Sequence, residues 1–257
     1  MAFANGGAQG VTINSLPRGF QPAQAPIYEH KIIKLVKAAS SSQGYWYRPD
    51  NMGTPSSSDG DMLITWNNIG VGTGDLTQAT DLNKPLIKLD ILNASRVLRF
   101  DGVDDRLVNT TPAWVSGGVG CVAMVIKFAD TTGVKYVLTE GDGGNQAFVR
   151  INGATELELG SDTPKALTTD VDTNWKIYVL SIAPGGCTAY INGVSDTVAA
   201  GSPNTLSAGG LSLGANSSGS SAKAFDIAEL IVARGVIWTA TNMLDISNYL
   251  NRKFRIY

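Results

Sequence analysis

The chain has little of what catalytic centres are usually made from. One histidine, His30, and two cysteines, Cys121 and Cys187, occur in 257 residues, and only 16% of the residues are charged. A single histidine, set before the strand-rich part of the chain, leaves little room for a Ser-His-Asp or Cys-His relay. Two cysteines with no histidine beside either cannot supply a zinc set; both sit in strand-like runs and read first as small buried hydrophobes, with a disulfide left open. The sequence contains no G-x-S-x-G elbow and no glycine loop followed by Lys-Ser or Lys-Thr that would cradle a phosphate. Basic residues are few as well: 20 Lys and Arg against 22 Asp and Glu give a net charge of −2. They are scattered, so the basic face of a nucleic-acid binder is not expected. No uncharged apolar run reaches the ~18 residues of a membrane span, and the first ten residues lack the basic and apolar regions of a signal peptide. The expectation is a protein used inside the cell that makes it, with no membrane partner.

Glycine, by contrast, is plentiful at 29 residues. It falls between short apolar runs, as in a turn-rich all-β protein. Cys121 to Phe128 is apolar on both faces, the pattern of a central strand. Asn152-Gly153 and Asn192-Gly193 each lie beside strand-like runs and predict hairpins, because both turn positions tolerate positive φ. A further hairpin is expected across Pro184-Gly185-Gly186, which makes the topology antiparallel. Tyr45-Trp46-Tyr47 reads as the first strand. In Arg96 to Phe100, Val97 and Arg99 fall on one face and Leu98 and Phe100 on the other, before a turn at Asp101-Gly102. Ala224 to Val232 is a late strand whose embedded Glu229 is expected to accept hydrogen bonds at a sheet margin. Thr239 or Thr241 caps a helix through Leu250, with Met243, Ile246, Tyr249 and Leu250 on one face and Phe254 beyond it in a tail or strand.

Ahead of this body, Ile27 to Ala39 carries a weak helical stripe, and Met1 to Pro26 is rich in Gly, Ala, Gln and Pro. Its apolar residues Phe3, Ile13, Leu16 and Phe20 are too irregularly spaced for helix or strand and suit either a disordered tail or a strap that drops single side chains into pockets on a neighbour. The expected division is an arm and linker over 1–44 and one sandwich domain over 45–257. Chains of ~200–250 residues commonly form one such unit.

Trp66-Asn67-Asn68-Ile69-Gly70, Thr77 to Thr80, Lys84-Pro85, Phe100-Asp101-Gly102-Val103-Asp104-Asp105, Ala189 to Gly193, Leu211 to Gly214, Asp226 to Val232 and Tyr249 to Phe254 follow one another in a set order. In that order they resemble the laminin-G-like or concanavalin A-like jelly rolls, in the version found in bacteriophage virion proteins. The resemblance covers Tyr45 to Tyr257. It implies an all-β antiparallel two-sheet jelly-roll sandwich with a short C-terminal helix and an extended N-terminal arm.

Taken with the missing export signal and the Pro/Gly-rich arm, the resemblance leads to the expectation of a non-enzymatic virion structural protein, a capsid cement or decoration protein tied by its arm to the major capsid protein or other virion subunits. Assembly as a homo-oligomer, location in the virion and the absence of any cofactor go with it. The alternative is a carbohydrate-binding module, or a tail-fibre or adhesin component, reading a surface glycan. For that reading Trp46, Trp114, Trp175 and Trp238 are the candidate rings; Trp175 alternates with Ile177 and Val179 as a core residue does, and Trp114, in a loop-like context, is the candidate glycan contact. Glu156 and Glu158 share a strand face but lack the third acid of a jelly-roll glycosidase, so no catalytic residue is expected. Asp101, Asp104 and Asp105 could offer oxygens to calcium, but capping a turn is their commoner use, and no metal is expected. On the strap reading, deleting residues 1–26 leaves the sandwich folded and blocks incorporation into particles, which gel analysis of purified virions would read out.

Overall fold

The fold is arranged about one long strand, Ala224–Arg234, in which every residue after Ala224 is buried. The structure is a computed structural model and describes residues 25–38, 44–53, 57–110, 119–140, 147–160, 165–183, 186–198, 210–216 and 218–257. Among them run sixteen strands: β1 (Gly44–Met52), β2 (Thr65–Asn68), β3 (Leu76–Thr77), β4 (Leu86–Leu92), β5 (Ser95–Asp101), β6 (Leu107–Asn109), β7 (Gly120–Phe128), β8 (Lys135–Glu140), β9 (Ala147–Ile151), β10 (Glu156–Gly160), β11 (Lys165–Asp170), β12 (Lys176–Ala183), β13 (Gly186–Ile191), β14 (Val194–Val198), β15 (Leu211–Leu213) and β16 (Ala224–Arg234). Helix α1 (Ala25–Ala38) precedes them and α2 (Ala240–Phe254) follows.

Pairing between the strands is antiparallel. The path runs β11-β10-β9-β8-β15-β6-β3-β2-β1-β16-β7-β12-β13-β14, with β4 attached through β5 to β16. The strands expected as two sheets are thus linked into one hydrogen-bonded sheet, because short β2, β3, β6 and β15 bridge the halves. The sheet curls until its ends meet. Asp196 on β14 accepts hydrogen bonds from the Thr168 hydroxyl and from the Thr168 and Thr169 amides of β11.

Alternation along the central strands separates two cores. Tyr45, Tyr47, Leu98, Phe100, Met124, Ile126, Tyr178, Leu180, Leu230 and Val232 point into the interior of the curled sheet. Trp46, Val97, Ala123, Val125, Ile177, Val179, Ile231 and Ala233 point outward, where α1 and α2 cover them. Strands buried on both faces read as continuous apolar runs, which explains Cys121 to Phe128. The two cysteines sit in different cores, Cys187 inside and Cys121 outside, and no disulfide joins them. Burial raises the Cys121 thiol to about 11, so it is held as an inert packed group.

Helix α2 starts as the sequence suggests. Thr239 is its cap, accepting from the Asn242 amide while the Asn242 side chain accepts from the Thr239 amide. Met243, Ile246, Tyr249 and Leu250 are buried beneath it. Phe254 corrects the expected tail: it completes the last turn of α2 and is fully buried, extending the same stripe. Helix α1 lies against α2 and the sheet through Ile32 and Val36, and Lys31 pairs with Asp245 at 3.2 Å. The Asn192-Gly193 hairpin has positive φ at both positions, 50° and 78°. Asn152-Gly153 also joins a hairpin, β9 to β10, but with a different turn from the one expected. There the positive φ falls on Thr155, because Asn152 turns its side-chain oxygen onto the Ala154 and Glu156 amides and stretches the turn.

Glu229 also departs from its expected place at a sheet margin. It lies mid-sheet in β16, fully buried, next to a bulge at Ala228 where the register against β7 shifts by one residue. It faces the outer core. Oε1 accepts from the Trp46 indole at 2.7 Å and the Tyr249 hydroxyl at 3.3 Å, and Oε2 from Lys253 at 2.5 Å. A carboxylate out of water needs this many donors. Replacing Glu229 with Ala strands the Trp46 and Tyr249 donors and should cost about 3 kcal/mol. Chemical denaturation would measure it; a loss under about 0.5 kcal/mol would mean the network carries no stability.

Candidate functional site

Beside Glu229 the surface opens into a cleft of about 510 Å³. Three segments wall it. The first is the second half of β1, where Trp46 and Arg48 share a face: the indole is buried under α2 and the guanidinium emerges at the rim, 5.4 Å from the indole centroid. Pro49 and Asp50 continue this wall. The second is the β4–β5 hairpin, a two-residue turn with positive φ at Asn93 and Ala94, 48° and 60°, which presents Ala94, Ser95 and Arg96. The third is the end of α2, which contributes Lys253 where the helix dipole favours a cation. The Asn93 side-chain amide donates to the Phe254 carbonyl and ties the hairpin to that helix end.

Three cations and one acid therefore line the cleft. Each cation is held. Arg48 donates through Nε to Asp50 at 3.0 Å and through Nη1 to Glu29 of α1. Burial opposes its charge, but Tyr249, Asp50, Glu229 and Glu29 outweigh that and raise its pKa further. Lys253 reaches inward to Glu229, and Arg96 directs Nη1 towards the Met52 carbonyl at 3.4 Å. Burial and the neighbouring Glu229 push the Tyr249 hydroxyl far up, so it stays protonated and donates to Glu229.

The residues singled out from sequence fall elsewhere. Phe3, Ile13, Leu16 and Phe20, and Trp114, lie outside the described residues. Trp46 and Trp238 are buried and Trp175 packs half-buried against the outer core, so these three rings are core residues. His30 is exposed on α1. Glu158 pairs with Arg150 at 2.7 Å and Glu156 accepts from the Asn152 amide at 2.7 Å, which engages both acids on the outer face of β9 and β10.

Asp101, Asp104 and Asp105 are brought together, their oxygens within 4.8 Å of one another. The turn uses them. Asp101 Oδ1 accepts from the Val103 amide at 2.8 Å and Asp105 Oδ2 from the Asp101 amide at 2.8 Å. Gly102, at φ 78°, sits where a Cβ would lie 2.7 Å from the Ala224 nitrogen, so the corner presses on the start of β16.

The cleft itself was not legible in the sequence. Its members come from residues 48–50, 94–96 and 253, and only the buried acid in β16 hinted at a site nearby.

No family profile matches the chain, and no curated protein sequence matches it. Solved structures do resemble it in fold. A sialidase from Trypanosoma rangeli in complex with 2,3-difluorosialic acid superposes with a TM-score of 0.57 at 9% identity, over 90% of this chain and 39% of that one. The botulinum neurotoxin serotype D binding domain superposes at 0.56 and 9% identity, over 83% of this chain and 52% of that one. The same domain in complex with N-acetylneuraminic acid gives 0.55 at 9% identity. The chain spans about half or less of these proteins, and the likeness is one of all-β fold.

One titration follows from the Asp101 corner. Burial first, then the Asp101 and Asp104 charges, raise the Asp105 carboxyl to about 6 against 3.8 for an ordinary aspartate. A raised folded value means that the folded state holds the proton more tightly. Its contribution to stability is full below pH ~4 and is lost as pH rises through ~6. The wild type minus Asp105→Asn difference in Tm should fall across about pH 4 to 6.5; a flat difference would show that Asp105 titrates normally.

Proposed function

We propose that the protein is a non-catalytic carbohydrate-binding module of the jelly-roll kind, and that the Arg48–Arg96–Lys253 cleft is its sugar site. The observation that carries this reading is the composition of the cleft. Fixed donors (Arg48, Arg96, Lys253) and acceptors (Asp50, the Ser95 hydroxyl) alternate with the apolar Pro49 and Ala94. A pyranose likewise alternates hydroxyl edges with C–H faces, and a concave site of some hundreds of Å³ built on rigid elements is how small ligands are held. The structural neighbours named above include a sialidase and a toxin binding domain whose structures hold sialic-acid ligands.

Glycan binding suits the tail-fibre or adhesin setting among the virion roles. The capsid-cement reading, with its major capsid protein partner, rests on Phe3, Ile13, Leu16 and Phe20 in the arm. Catalysis finds no support in Glu156 and Glu158, which hold Asn152 and Arg150 on another face.

Arg96→Ala should lower the affinity for a bound glycan about tenfold, since its guanidinium lines the cleft. A thermal melt checks that the variant is folded. A glycan array followed by calorimetry on the wild type and the variant tests this, and the reading falls if no glycan binds or if Arg96→Ala binds as well as the wild type.

A further inference from the structure

Arg48 takes one of its acidic partners from an element separate from the sheet. Asp50 is its neighbour on β1, but Glu29 belongs to α1, and its side chain stays 39% exposed while it bonds Arg48 Nη1. Among its described side chains, helix α1 rests on the outer core through buried Ile32 and Val36 and partly buried Ile33 and Leu35. The Glu29 carboxylate thus reaches over the rim and sits on a guanidinium that also stacks on Trp46.

The charges around the cleft make this contact matter. The lining alone carries Arg48, Arg96 and Lys253 against Asp50, a surplus of two positive charges. Glu229 offsets one from inside the protein, through Lys253, and is out of reach of any ligand. Glu29 offsets the other from the solvent side. A soluble carboxylate can replace it, because two anions on one guanidinium edge compete for the same donor.

We infer that the cleft takes the carboxylate of an acidic sugar, such as a sialic or uronic acid, and that Glu29 is an internal competitor holding its place on Arg48. This rests on the glycan-binding reading and adds the ligand class and its control to it. The surplus charge selects the acid. Arg48 receives its carboxylate as Glu29 withdraws, while Ser95, Arg96 and Asp50 meet the hydroxyls. Affinity is then set by the fraction of molecules in which Glu29 is off Arg48. If that fraction is about one in ten, freeing Arg48 raises affinity about tenfold. Whatever moves α1 tunes the site from outside it.

The test compares the full-length wild type with Glu29→Gln, titrated by calorimetry with 3′-sialyllactose, a glucuronate disaccharide and lactose, while NMR follows the Arg48 Nε–H resonance. Glu29→Gln is close in shape and half exposed, and a thermal melt confirms that it folds; Glu29→Ala serves as a second variant. The expected result is that one or both acidic sugars bind more tightly than lactose and shift the Arg48 resonance. Both Glu29 variants should tighten that binding ~3- to 10-fold, leaving lactose unaffected, and the gain should shrink at high salt. Equal binding of lactose and the acidic sugars, or acidic-sugar affinity unchanged or weakened in both variants, overturns the inference. If lactose or another neutral glycan binds and Arg96→Ala removes it, the carbohydrate-module reading survives that failure. If no glycan binds to the wild type or to either variant, both fall.

Discussion

A single buried carboxylate determines how the outer layer of this protein is put together. Glu229 sits mid-sheet at no exposure, and its free energy out of water is acceptable only because an indole, a phenol and an ammonium converge on it. Those three donors come from β1 and from two positions on α2. Satisfying one acid therefore fixes the helix to the sheet in rotation and in height. It also leaves the Lys253 stem along the rim and holds Trp46 beneath Arg48. The bulge at Ala228 belongs to the same arrangement, since one extra residue shifts the register of β16 against β7 beside that acid.

Inside the sheet the packing is mainly apolar, with a few polar anchors. Arg234 is buried over the Tyr45 ring, the Asn109 amide donates to the Gly74 carbonyl at 2.9 Å and the Trp66 indole to the Arg48 carbonyl at 2.8 Å. Aromatic and aliphatic residues fill the interior, with Phe100 and Phe225 stacked at 4.6 Å and Tyr47 tilted on Trp66 at 5.6 Å. Each large side chain removed from water contributes about 1.5–3 kcal/mol. The two layers differ in emphasis: the inner core is dominated by apolar burial, while in the outer core one set of directional bonds to Glu229 holds α2, which shapes the cleft.

How much of this could be read from residues alone depended on distance along the chain. Two-faced apolar runs marked the central strands, and the Thr239 cap with its buried stripe marked α2, because those signals are local. Short strands such as β3 and β15 carry too few residues for alternation to show, so their role in joining the halves was hidden. Asn68 was visible within a motif, but what it does there was not. Its side chain accepts from the Trp46 and Gly70 amides and donates to the Gly72 carbonyl, pinning β1 to the loop after β2. The cleft was hidden for a different reason. Arg48, Arg96 and Lys253 are ordinary surface cations in sequence, and only the meeting of a strand, a hairpin and a helix end makes them neighbours.

The meeting of β14 and β11 has a consequence for crowding and self-association. An open sheet ends in rows of amides that recruit strands from other molecules, and an inward-turned charge is one known safeguard against it. Asp196 occupies the Thr168 and Thr169 amides within the chain, so at that seam those donors are not offered to a further copy. The chain thus spends its own charge to shut the place where a neighbouring copy would otherwise add a strand.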